Sequence, residues 1–267
     1  MNTLERRMLN ILKDLKENHG AIGIRTEFEA EGTRLEEILR LKEISMLVGL
    51  GLTLKIGGCE SIRDMLEART IGVDCLVAPM IESGYAMKKY LQAVSNVFPP
   101  EELNSVEIFS NIETITATNY LDEILEIPEI RLLQGIVIER IDLCFSLSSM
   151  EEDVNDEKIN EIVLRTTKKA KEKNLLTVIG GGLSAHSLPF FRSLPEGFLN
   201  RYETRKVTFK YPDAIDKHPE KGILKALGFE LLWLRNKMTF YRGISIADEE
   251  RMNVIEQNYW FEIESLI

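Results

Sequence analysis

The chain has 267 residues, 44% hydrophobic and 28% charged, with 33 basic residues against 43 acidic for a net charge of -10. That balance describes a folded, water-compatible chain, and its acidic field repels phosphate backbones and anionic lipid at long range. With no basic patch in sight, neither nucleic acid nor a membrane is expected as a partner.

A length near roughly 250 residues suits one (β/α)8 barrel. A single barrel domain over 1–267 is therefore expected, with 217–267 as a candidate helical appendage. The three cysteines, Cys59, Cys75 and Cys144, are odd in number, widely separated and without C-x-x-C spacing. This argues against a disulfide framework or a thiolate zinc site, and fits a reducing, cytoplasmic setting.

The first twenty residues carry Leu4, Met8, Leu12 and Leu15 at helical spacing with charges between them, so they read as an amphipathic helix and not as a secretory signal. No apolar run reaches the roughly 18 to 20 residues that span a bilayer. Seven β-rich runs follow: AIGIRTEF from Ala21, LTLKIGG from Leu52, CLVAPMIE from Cys75, VEIFSNIE from Val106, GIVIERID from Gly135, LLTVIGGG from Leu175 and RKVTFKY from Arg205. Between them lie stretches such as RLEEILRLKEISMLVGL with helical periodicity, so each strand is expected to lead into a helix, as in a parallel α/β barrel. An eighth strand is not evident. After FKYPDAIDKHPEKG, a candidate hinge, the tail reads as helix, in two stretches from Ile223 and Ala247. It carries both tryptophans, Trp233 and Trp260, as expected of helices that cover a core or a dimer interface.

In such folds ligands bind at the carboxyl ends of the strands, where polar residues carry the most information. The first run ends among Glu27, Glu29 and Glu31, the second at Lys55, the third at Glu82, the fourth at Glu113 and Thr114, and the fifth runs into Arg140 and Asp142. Acids converging from neighbouring strands suit a hard divalent cation, and Glu113 with Asp142 is the preferred pair. Each acid also has a plainer reading as a helix cap or ion-pair partner, and Thr114 as an N-cap. Gly180, Gly181 and Gly182, followed by Ser184, open toward a helix where backbone N–H groups would receive an anion, or they serve only a tight turn. The run lacks the spacing of a dinucleotide fold or a P-loop. His186 reads either as a general base or as a polar residue of a helical first turn. Arg201, Arg205 and Lys206 read as a solvated basic face or as neutralisers of an anionic substrate tail.

The segment NIETITATNYLDEILEIPEIRLLQGIVIERIDLCFSL, with GVDCLVAPMIESGYAMKKY upstream, resembles the HpcH/HpaI aldolase and citrate lyase beta-chain family, most clearly from about Leu52 to Ser148. The resemblance implies a (β/α)8 TIM barrel of the phosphoenolpyruvate/pyruvate type and a Mg2+ or Mn2+ ion held by Glu113 and Asp142. It also implies C–C bond cleavage or formation through an enolate of a small anionic 2-oxo acid, in a homo-oligomer. Lys55 stands where family aldolases carry an Arg for the substrate carboxylate, and a point charge grips a carboxylate differently from a planar fork. The family's acid–His pair has glutamates but no His in RTEFEAEGT. On this resemblance Lys55, Glu82 and Glu29 are the candidate catalytic residues, and Lys55, Gly181, Gly182 and Ser184 the candidate substrate contacts. A citrate-lyase-like enzyme acting on a CoA thioester, and a non-catalytic barrel binding a small anion or a partner, are the alternatives.

Overall fold

Eight short strands close into one barrel in chain order. They are β1 (Ala21–Glu27), β2 (Gly51–Lys55), β3 (Cys75–Ala78), β4 (Glu107–Asn111), β5 (Gly135–Glu139), β6 (Leu176–Gly180), β7 (Arg201–Glu203) and β8 (Val207–Lys210). The computed structural model describes residues 1–148 and 150–267. The helices are α1 (Thr3–His19), α2 (Leu35–Val48), α3 (Ile62–Ile71), α4 (Gly84–Val97), α5 (Ile115–Asn119), α6 (Leu121–Leu125), α7 (Arg140–Ser146), α8 (Glu157–Glu172), α9 (Leu188–Ser193) and α10 (Pro219–Glu264). Among the described residues no helix is long and apolar enough to cross a membrane.

Local chemistry sets the ends of these elements. Asn2 and Glu5 form a reciprocal capping box on α1, whose buried stripe is Met8, Leu12 and Leu15, and Gly20 ends the helix in the left-handed region at φ 70°. That glycine is also required by space, since a Cβ there would lie 2.8 Å from the Ala214 Cβ. Strand residues that face outward, including Ile24, Leu54, Leu76, Ile108, Ile136 and Ile179, pack with helix residues such as Leu12, Leu41, Met65, Leu91 and Val163 in one core.

β1 to β7 pair in parallel, as the alternating pattern predicts. The expectation of a helix after every strand fails at β7. The run RKVTFKY is not the seventh strand but contains the eighth, and the seventh is the three-residue stretch Arg201–Glu203 that pattern reading passed over. Only Thr204, Arg205 and Lys206 join the two, so β8 turns back and pairs antiparallel with both β7 and β1. A link this short admits only a hairpin, because a parallel crossover needs a dozen or more residues.

The tail also departs from expectation. Instead of two helices, α10 is one unbroken rod of 46 residues, about 70 Å long. Its first half packs on α1 and buries Phe229 and Trp233, while Met238 and Phe240 near the midpoint and Ile244, Met252, Tyr259, Trp260 and Phe261 of the second half are exposed. Trp233 thus covers a core as expected and Trp260 does not.

Because strand side chains alternate, every second residue points into the barrel. From β3 to β6 these include Cys75, Val77, Phe109, Val137 and Val178, which form their own apolar cluster. From β1, β2 and β7 they include Arg25, Glu27, Lys55 and Glu203, all buried.

Candidate active site

The charged side chains meet at the carboxyl ends of the strands, around a cavity of about 440 Å³. Its walls include Arg25, Glu27, Glu29, Lys55, Glu139, Asp142, Gly181, Gly182, Glu203 and Arg205, and α10 contributes Leu227 and Glu230. Among the expected site residues, Lys55, Glu29, Asp142, Gly181 and Gly182 therefore share one cavity. Glu82, Glu113 and Ser184 lie off its walls.

Glu82 accepts a 2.6 Å hydrogen bond from the Thr114 hydroxyl, and Thr114 in turn caps α5 through Ala117 N–H. Ser184 precedes a single 3-10 turn, Ala185–Ser187, and His186 in that turn is exposed. Glu113 is fully buried. Its Oε1 accepts from Met80 N–H at 2.7 Å and its Oε2 from Asn111 Nδ2 at 2.7 Å.

Three cations serve the mouth, and each faces two acids. Arg25 donates to Glu139 Oε1 at 2.8 Å and to Glu203. Lys55 Nζ lies 2.5 Å from Glu29 Oε2 and 3.5 Å from Glu27 Oε2. Arg205 reaches Glu31 at 3.1 Å and Glu27 at 3.4 Å. Burial disfavours the charge on Arg25 and on Lys55, yet the surrounding carboxylates outweigh it and raise both pKa values. Lys55 is therefore a firmly held ammonium and not a nucleophilic amine.

The acids respond in opposite directions. Burial pushes the Glu113 carboxyl up to about 7, against Lys55 and its two hydrogen bonds, with Asp142 adding to the rise. Burial also raises Asp142, helped by the Glu139 carboxylate, while a hydrogen bond with Glu113 pulls the other way. Glu139 is lowered, since Arg25 overcomes the desolvation that works against its charge. Glu203, on the same guanidinium, is raised because desolvation prevails.

Glu113 and Asp142 are both reluctant to ionise, so a cation taken up by the two would displace a proton. Asn111 stands beside them, with its buried Oδ1 unpartnered among the described residues. Two carboxylates and an amide oxygen, completed by water and ligand oxygens, fit the requirements of Mg2+ or Mn2+. Among the described residues there is no group of three or more His, Cys, Asp and Glu that could hold a metal by itself. The protein alone would thus leave most of the coordination sphere to solvent and ligand.

Sequence reasoning missed Arg25, Glu139, Glu203 and Glu230. The first was visible as a charge two residues before Glu27 in an otherwise buried strand, a spacing that puts both side chains on one face. Gly180 has a spatial role, because a Cβ there would fall 2.9 Å from both Glu139 carboxylate oxygens. Gly181 (φ 74°) and Gly182 (φ 61°) continue the turn into the 3-10 segment, not into a long helix. Arg140, buried against that turn, donates to the Gly180 carbonyl at 3.1 Å and the Gly181 carbonyl at 2.7 Å. The expected solvated basic face is corrected as well. Arg201 makes a two-pronged ion pair with Glu107, at 2.6 Å for each contact, and Lys206 is buried against Glu31.

No family model and no curated protein matches the chain by sequence. Its fold does match solved structures. An HpcH/HpaI aldolase from Desulfitobacterium hafniense DCB-2 aligns with a TM-score of 0.60 at 14% identity, over 83% of this chain and 88% of that one. The citrate synthase SbnG aligns at 0.58 and 11% identity, over 91% and 98%. An HpcH/HpaI aldolase/citrate lyase family protein from Burkholderia cenocepacia J2315 aligns at 0.55 and 12% identity, over 76% and 93%. At these identities the likeness is one of fold.

Proposed function

We propose that this chain is a divalent-metal-dependent carbon–carbon lyase of the aldolase type, acting on a 2-oxo acid through its enolate. The observation that carries the proposal is the placement of two acids past consecutive strands: Glu113 after β4, held by Met80 N–H and Asn111 Nδ2, and Asp142 after β5, on the cavity wall with Lys55. The fold likeness to an HpcH/HpaI aldolase supports it.

Glu113 and Asp142 would hold Mg2+ or Mn2+, which when bound would supply Lewis-acid stabilisation of the negative charge that develops on the enolate oxygen. The chain's own groups do the rest. Met80 N–H and Asn111 Nδ2 fix the Glu113 carboxylate, so that its orientation is set before ligand arrives. Lys55 keeps its proton throughout and supplies fixed positive charge at the mouth, held in place by Glu27 and Glu29. Glu29 lines the cavity and is only about one-third exposed, so it is better situated than Glu82 to take or return a substrate proton.

Calorimetric titration with Mn2+ tests the metal pair: binding to the wild type that is lost in Glu113→Gln and in Asp142→Asn is the expected result. Proton NMR then tests the chemistry. Exchange of the pyruvate methyl protons with solvent, dependent on Mn2+ and lost in both variants, is expected, and no exchange with any divalent ion would count against a pyruvate-type reaction.

A further inference from the structure

The last helix carries a pattern that its own barrel does not use. Leu224, Leu227, Leu231, Leu234 and Met238 recur three and four residues apart along α10, and all five are exposed. That spacing is the a and d seam of a heptad repeat. Carried on in the same phase, the seam meets the polar pair Ser245 and Asp248 and then Met252, Ile255 and Tyr259, again exposed. The buried side of the helix, with Gly222, Ala226, Phe229 and Trp233, lies opposite, because it occupies the c and f positions of the same repeat. An apolar stripe of this length on the open side of a helix marks an interaction surface.

The symmetry of the pattern identifies what covers it. A knobs-into-holes seam needs a second helix with the same heptad period, and a two-fold interface needs a surface complementary to itself. Turned end for end about a point between Ile246 and Ala247, α10 matches itself. Leu234 meets Tyr259 of the second copy, Met238 meets Ile255, and Ser245 meets Asp248 at the centre. Leu231 falls opposite Glu262, whose stem can cover it while the carboxylate stays in water. The flanking e positions agree, since they set Arg235 against Glu256 and Arg242 against Glu249, each pair twice by symmetry. All four side chains are exposed, and the ion pairs that α10 makes with its own barrel use Lys225 and Lys237 instead. A parallel pair in register would bring Lys237 against Arg242, like charge on like.

We infer that two copies of this chain pair through antiparallel α10 helices, each arm lying along the barrel-bound half of the other's rod. The pairing reaches the site. Leu227 and Glu230, on and beside the seam, line the active-site cavity, so the end of each arm comes to the rim of the other copy's cavity. The inference stands apart from the chemistry proposed above.

Sedimentation of the full chain tests it with two charge-reversed variants, Arg235→Glu with Arg242→Glu, and Glu249→Arg with Glu256→Arg. The wild type is expected to sediment as a dimer. In each variant like charges face one another, and the dimer Kd is expected to rise at least tenfold while the circular dichroism of a folded barrel is kept. An equal mixture of the two variants is expected to restore pairing, because every glutamate then faces an arginine, whereas a misfolded variant would not be rescued. A monomeric wild type, variants that pair as tightly as the wild type, or a mixture that pairs no better than its components would overturn the inference. Metal plays no part in these readings: loss of Mn2+ binding would leave them standing, and a monomer would leave the metal-dependent reading standing.

Discussion

The barrel has two unlike inner walls. From β3 to β6 the lumen is filled by Cys75, Val77, Phe109, Val137 and Val178, packed as a small dry cluster. From β7 round to β2 it holds Arg25, Lys55 and Glu203, with Glu139 reaching across from β5 to share Arg25. The apolar wall follows the usual construction of such barrels, and its stability comes from area removed from water and from close packing. Gly135 illustrates that closeness: a Cβ there would lie 2.3 Å from Phe109 Cε1, so the ring takes the space the glycine leaves. The charged wall holds together only because each cation is answered from two sides, and pairs of this sort stabilise little in net terms while being costly to break. One wall supports the barrel; the other keeps charge where a ligand can meet it.

The comparison can be broken most sharply at Arg25. Arg25→Ala leaves Glu139 and Glu203 buried without their counter-charge, and is expected to cost about 3–5 kcal/mol in urea-induced unfolding. If Arg25→Ala combined with Glu139→Gln and Glu203→Gln costs as much as Arg25→Ala alone, the pairing account is wrong. Glu113, just past the end of β4, gives the next largest effect. Its folded pKa of about 7 lies above the ordinary 4.5, so the fold binds the extra proton. The stability it lends is therefore fully present below about pH 4.5 and is lost as pH rises through about 7. In metal-free protein the loss is on the order of 3 kcal/mol across that window, and Glu113→Gln should flatten it in denaturant titrations at stepped pH.

On the apolar wall, Val178→Ala should cost about 2 kcal/mol at every pH, from lost burial and an unfilled space, with no change in the pH profile. A pH-dependent cost there would mean that the walls are coupled. The smallest effect is expected at the rim. Arg205 is more than half exposed, and Arg205→Gln should lower stability by less than about 1 kcal/mol, an effect that shrinks in high salt.

How legible these features were depended on whether a residue's surroundings are local. β1 to β6 could be read because strands buried on both faces become short apolar runs, as in CLVA and GIVIE. β7 could not: three residues with Arg201 and Glu203 facing inward look like a polar loop until their partners Glu107 and Arg25 are known. Reading RKVTFKY as the seventh strand followed from that omission. That Glu113 and Asp142 follow consecutive strands was readable, because β4 and β5 are both short apolar runs that end just before them. The sharing of Arg25 by Glu139 and Glu203, and the arrival of Glu230 from a helix near the far end of the chain, depend on contacts across 114 residues or more. The unbroken course of α10 through Gly243 was missed because the polar ADEER stretch looked like the start of a new helix.

The long final rod has a practical consequence. Trp233 is 2% exposed and Trp260 46% exposed, so the chain's two indoles report on different places. Acrylamide should quench the outer one first and leave the inner one dark to the quencher until the barrel itself opens. Fluorescence can thus time the fraying of the arm separately from the melting of the body, with no label added.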